Sequence, residues 1–121
     1  MEKGKLKEKS LKFAIRIVNL YKYLCDEKRE FVLSKQVLKS GTSVGAMIRE
    51  AEYAESKTDF VHKMAIAQKE SNETIYWLEL LQATDYISSV EFESINSDAV
   101  EVIKMITSSI KTTKKSLITN H

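Results

Sequence analysis

Asp59 and His62 stand three residues apart, a spacing that puts a carboxylate and an imidazole on one face of a helix. Bundles that hold two metal ions use such a pair from each of two helices and a further glutamate from each of two others. The only other histidine is His121. The second half of a di-metal site is therefore missing, and an ordinary helix histidine is expected at position 62. Glu70, Glu73 and Glu79 could supply general acid–base chemistry, which needs carboxylates held around a pocket. Glu70 and Glu73 are i, i+3 neighbours, but no nucleophile, phosphate-binding glycine loop or paired histidine accompanies them. Ser40, Thr42 and Ser43 lie beside glycines, yet a nucleophile elbow needs a strand before its turn. These residues predict no catalytic site, no metal and no cofactor.

Charge is the stronger chemical signal. The net charge is only +2, but it is unevenly spread. Residues 1–20 hold Lys3, Lys5, Lys7, Lys9, Lys12 and Arg16 against Glu2 and Glu8, a balance of +4. Residues 105–121 add Lys111, Lys114 and Lys115 with no acid, while residues 50–101 carry twelve acids against Lys57, Lys63 and Lys69. A basic cluster attracts phosphate backbones without reading sequence. Solvated helix ends are the plainer reading of the same lysines.

The elements that must position these groups are helices. A chain of 121 residues, 43% hydrophobic and 30% charged, has the size and composition of one folded globular domain. Leu11, Ala14, Ile15, Val18, Tyr21 and Cys25 follow helical spacing, and Phe13, Ile17, Leu20 and Leu24 form a second stripe beside them. Polar residues 26–30 follow, and Asp26 is a candidate cap for the next helix. A second segment, from about Phe31 to Ser56, turns Val37, Leu38, Gly41, Val44, Gly45, Ile48 and Ala51 inward. A third, from about Thr58 to Thr84, does the same with Phe60, Met64, Ala67, Ser71, Ile75, Leu78 and Leu81.

No glycine or proline divides these two segments. A continuous helix over both would be about 80 Å long, too long for so small a domain. Ser56 and Asp59 have capping-box spacing, so the turn is expected there. Ser88 and Glu91 open a fourth segment, in which Phe92, Ile95, Ala99, Val102, Ile106 and Ile110 repeat up to about Lys115. No strand pattern or repeat is found. The expectation is an all-α, antiparallel up-down-up-down four-helix bundle spanning residues 1–121. In that topology the first helix begins where the last ends, and Lys5, Lys9, Lys12, Arg16, Lys111, Lys114 and Lys115 gather at one end.

Two features point to close packing or assembly. Gly41 and Gly45 sit four apart inside a helical pattern, where each glycine costs about 1 kcal/mol relative to alanine. A turn near residue 57 sets position 41 opposite 73 and 49 opposite 65, so the glycines are expected to face Glu73 and Lys69, near Tyr76 and Trp77. Either a large side chain fills the cleft or helices of two subunits cross there. Ile66, Glu73, Trp77 and Leu80 form a stripe rotated away from the core face. Such a stripe with a tryptophan marks an interface, or a third helix buried on two sides. Arg49 can reach Glu52, solvent or an acid on a neighbouring subunit. Cys25 has no partner for a disulfide and is expected as a buried thiol, which fits a reducing cytoplasm. No run approaches the roughly 18 apolar residues of a membrane span, and the basic start lacks the apolar segment of a signal peptide.

The chain resembles the bacterial four-helix-bundle proteins encoded in intervening sequences of 23S ribosomal RNA genes. Residues 35–45, Ile48 to Ala51, Asp59 to Lys63 and Glu70 to Leu81 carry the resemblance, above all NETIYWLELL at 72–81. Met47 stands where Asn is expected and Ser71 where Ala is usual; neither threatens the fold, but a role needing the Asn amide has no counterpart here. The resemblance implies a bundle that assembles into a homo-pentameric ring. The chain is also similar to the accessory bundle proteins of diversity-generating retroelements, basic pentamers that bind nucleic acid and a reverse transcriptase; its own net charge is milder. The function expected is non-enzymatic: a homo-oligomer contacting RNA or DNA through its basic end. The rival is a protein–protein adaptor whose acidic middle meets the partner.

Overall fold

The computed structural model describes residues 3–119, and His121 lies outside them. Four helices follow one another: α1 (Lys3–Asp26), α2 (Leu33–Glu52), α3 (Lys57–Ala83) and α4 (Ser89–Thr119). No strand occurs among the described residues. Each helix packs on the one before it and α4 returns against α1, and among the described residues the backbones of the diagonal pairs do not approach each other. This is an antiparallel up-down-up-down four-helix bundle.

The helix ends follow from local chemistry. Ser56 caps α3: its hydroxyl accepts from the Asp59 N–H at 3.0 Å, and the Asp59 carboxylate accepts from the Glu55 N–H at 3.2 Å. Ser88 and Glu91 form a reciprocal capping box before α4, at 3.1 and 2.8 Å. Asp26 does not cap α2; it is the last residue of α1. The cap is Glu30, whose carboxylate accepts from the N–H groups of Val32, Leu33 and Ser34. Burial pushes the Glu30 carboxyl up, but these three N–H groups outweigh it and hold the pKa below its ordinary value. α3 ends in a Schellman motif: Tyr86 N–H donates to Leu81 O at 2.9 Å and Asp85 N–H to Gln82 O at 3.1 Å. Asp85, at φ 68°, takes the left-handed position that glycine usually fills, and Arg29 does so after α1 at φ 54°.

The core is one cluster drawn from all four helices. Phe13, Ile17 and Leu24 of α1 meet Val37, Val44 and Ile48 of α2, Met64, Leu78 and Leu81 of α3, and Val102 and Ile106 of α4. Side chains of this size contribute about 1.5–3 kcal/mol each when fully buried. α1 begins at Lys3, ahead of Leu11, and so adds Leu6 to the core. Of its two apolar stripes, the one with Phe13 and Ile17 faces inward, whereas Leu11 and Ile15 are about half exposed, at 49% and 52%. A helix at one corner of a square can bury only one such stripe. Cys25 is only partly buried, its thiol 3.8 Å from the Ser34 hydroxyl.

The α2–α3 register centres on residue 57. The Thr74 hydroxyl donates to Ser40 Oγ at 3.0 Å in the buried interior, and Lys63 approaches Glu50 at 3.8 Å. The glycines, however, face α1. One step round the helix from Ser40 is a turn of about 100°, enough to swing Gly41 away from α3.

Candidate interaction surfaces

The serines and threonines singled out for chemistry serve their own helices. Ser40, Thr42 and Ser43 donate to the carbonyls of Gln36, Leu38 and Lys39. His62 is exposed, Asp59 is committed to its cap and to Lys63, and no cluster of metal-ligating side chains exists among the described residues. Glu73 accepts from the Trp77 indole N–H at 3.1 Å.

The basic residues divide into two groups. Along α1, Lys5, Lys9, Lys12 and Arg16 recur on the side that faces α4, and α4 answers with acids. Arg16 donates to Asp98 Oδ2 at 2.8 Å, to Ser94 O at 3.1 Å and to Ser94 Oγ at 3.0 Å. Lys9 pairs with Glu101, and Lys12 pairs with Glu8 at 3.1 Å. Arg16 and Lys9 are thus cross-links between two helices and not part of an open basic end. Lys5 is exposed at the mouth of a pocket of about 270 Å³ that also holds Glu8 and Asp98. Lys111, Lys114 and Lys115 are exposed on the last turns of α4, where no acid occurs from position 105 onward.

The α1–α4 seam is the most sparsely joined of the four. It opens into a groove of about 470 Å³ lined by Leu20, Tyr23, Ile87, Val90 and Ile95, with Arg16 at its edge. A smaller cavity of about 210 Å³ lies between Leu6, Ile48, Phe60 and Met64 at the opposite end of the bundle.

Trp77 is half buried against the core, and Tyr76 stands edge-on to it, ring centres 5.0 Å apart. Tyr76 is 56% exposed. Ile66 and Leu80 are half buried and Glu73 is exposed, so the stripe forms a ridge on the outer flank of α3 beside α2.

Gly41 and Gly45 differ in what holds them. A Cβ at Gly41 would stand 2.7 Å from Ile17 Cγ1 and 2.8 Å from Cγ2, closer than atoms pack. A Cβ at Gly45 would meet Ser10 at 3.5–3.7 Å, ordinary contact. Gly45 floors a shallow groove between α1 and α2 of about 290 Å³, with Leu11, Ala14, Ala46 and Arg49 around it. Arg49 is exposed in this groove and makes no hydrogen bond or ion pair among the described residues; Glu52, its nearest acid in sequence on that flank, approaches Lys7 at 3.8 Å. The exposed Leu11 and Ile15 left no signal of their own in the sequence, because the neighbouring stripe has the same period.

The architecture is that of an all-α four-helix bundle whose polar groups close its own caps and seams and whose surface keeps apolar ridges and grooves. A model of the 23S rRNA-intervening sequence protein family matches residues 2–108, and the chain belongs to that family. A protein of unknown function from the S23 ribosomal protein family of Bacteroides thetaiotaomicron, solved by crystallography at 1.70 Å, is 58% identical. The match covers 92% of this chain and 99% of that one, with a TM-score of 0.90. No curated protein matches the chain. No helix among the described residues is long and apolar enough to cross a membrane.

Proposed function

We propose that the chain is a non-enzymatic, homo-oligomeric bundle, a ring of about five copies, that holds RNA or DNA by its phosphate backbone in the cytoplasm. The number of copies rests on the family resemblance. The observation that supports the nucleic-acid reading is the end of α4: Lys111, Lys114 and Lys115 are exposed on a stretch of sequence without acids, with Glu52 of α2 the acid that lines the neighbouring pockets, and Lys5 is exposed near the start of the adjacent α1. A ring repeats this cluster around its axis and multiplies the field. Lys9 and Arg16 leave the set because α4 acids engage them.

The test is retention of RNA and DNA by the full chain across a salt series. Binding through phosphates falls steeply as salt rises. Charge reversal at Lys111, Lys114 and Lys115 together should abolish retention while leaving the fold intact. No retention at low salt, or retention that ignores the reversal, contradicts the reading. The second reading, a protein adaptor, is favoured by the open α1–α4 groove with its 79% exposed Val90. Recovery of a defined protein partner that survives nuclease and high salt, with no retained nucleic acid, would favour it.

A further inference from the structure

Two faces of the chain complement each other without touching. The first is the groove between α1 and α2. Leu11 exposes about half its surface along its α1 wall beside Ala14, and Arg49 projects on its α2 wall with no partner among the described residues. The second is the ridge on α3, where Tyr76 and Trp77 stack edge to face beside exposed Glu73. Glu73 uses one carboxylate oxygen on the Trp77 indole, which leaves the other oxygen available. The ridge segment, residues 66–80, holds Glu70, Glu73 and Glu79 against Lys69 alone, an acidic balance. The groove brings Arg49, and Lys7, which approaches Glu52 of its own chain at 3.8 Å. One face is concave, apolar and basic; the other is convex, aromatic and acidic.

Gly45 adds an independent argument. Glycine within a helix costs about 1 kcal/mol relative to alanine. At Gly41 the contact with Ile17 repays that cost inside the protomer; at Gly45 a methyl group would fit, and nothing in the protomer requires its absence. A bare backbone at the floor of an exposed groove suits a large side chain arriving from outside.

We propose that these faces meet between copies of this chain: the Tyr76–Trp77 ridge of one copy seats in the α1–α2 groove of the next, and Arg49 pairs with the partner subunit's Glu73. The contact rests on the homo-oligomer reading and assigns its two surfaces. Because the faces differ, the contact is head-to-tail, and repetition closes a ring if the rotation permits. An arginine and a carboxylate brought together at the rim of an apolar contact set register and suppress wrong docking.

The experiment is a charge swap on the full chain, read by light-scattering mass over a dilution series at low salt. Both residues are exposed, so Arg49→Glu and Glu73→Arg leave the fold intact, which circular dichroism verifies. Each single reversal should weaken assembly by about tenfold or more, and the double variant should recover most of the loss. Ala46→Glu, which sets a carboxylate against the incoming Glu73, should weaken assembly as well. Singles without effect, or a double variant no better than its parents, overturn the pairing while the oligomer stands. Glu73→Arg disruptive and Arg49→Glu harmless would point to ridge against ridge across a two-fold axis, which also overturns it. A wild-type chain that stays monomeric at every concentration defeats the oligomer reading itself, and this inference with it.

Discussion

Ile17 of α1 occupies the space that a side chain at Gly41 of α2 would need: the nearest approach of a Cβ there would be 2.7 Å. Ile17 is fully buried and cannot step aside without disturbing Phe13 and Leu24 on the same stripe. The close α1–α2 approach is set by this pair.

Gly41→Ala should therefore lower stability. Overpacking costs about 1–3 kcal/mol, against a helix-propensity gain of about 1 kcal/mol. The expected net loss is up to about 2 kcal/mol by urea unfolding. In an Ile17→Ala background the added methyl enters vacated space, and the same substitution becomes neutral or stabilising. An equal loss in both backgrounds would contradict the contact.

The Ser40–Thr74 bond joins α2 to α3 in the buried interior, where two hydroxyl protons are shared among three acceptors: the partner hydroxyl, Gln36 O beside Ser40 and Glu70 O beside Thr74. Thr74→Val should cost about 1 kcal/mol, the usual net value of such a bond. Ser40→Ala added to it should cost much less than it does alone, because the pair is lost only once. Additive losses in the cycle would show that the two hydroxyls act independently.

Two helix N-termini carry carboxylates whose pKa is lowered. For Glu91 the cause is the Ser88 backbone N–H, then the Ser88 hydroxyl; for Glu30, burial acts upward and the N–H groups of Leu33, Ser34 and Val32 act downward more strongly. A folded pKa below the ordinary 4.5 means the stabilisation is present above that pH and is lost as pH falls through the lowered folded values. Thermal stability should decline as the solution is acidified below about pH 4.5, and Glu30→Gln with Glu91→Gln should flatten that decline. An acid limb unchanged in the double variant would remove the caps as its source.

The Arg16 fork ties α1 to Asp98 and Ser94 across the weakest seam of the bundle. Both charged side chains are 40% exposed, so the ion pair contributes about 1 kcal/mol or less. Arg16→Ala should cost little in global stability but speed amide exchange in the first half of α4, a local opening. Unchanged exchange there would show that apolar packing alone holds the seam.

Much of the bundle is legible in the sequence because helical periodicity, capping boxes and the turn near residue 57 are local. That turn fixes Ser40 opposite Thr74. The ends of α1 and α3 are harder to read, since Arg29 and Asp85 occupy left-handed positions that glycine usually announces. Asp26 has a capping residue's type, but Glu30, four residues on, reaches forward to the α2 N–H groups with its longer side chain. The facing of Gly41 toward α1 depends on one step of helix rotation. The pairing of α1 lysine and arginine with α4 acids joins residues some 80–90 positions apart, beyond any spacing rule. For that reason Lys9 and Arg16 look like an open basic end until the helices are assembled. The two stripes of α1 have equal periods, and only the square arrangement of four helices decides which is buried.

The light-scattering mass of the full chain bears most directly on the account, because the ring, the nucleic-acid field and the groove contact all presuppose assembly. The account predicts a discrete species of about five 13.9 kDa chains that persists on dilution at low salt. A mass of 13.9 kDa at every concentration would contradict it.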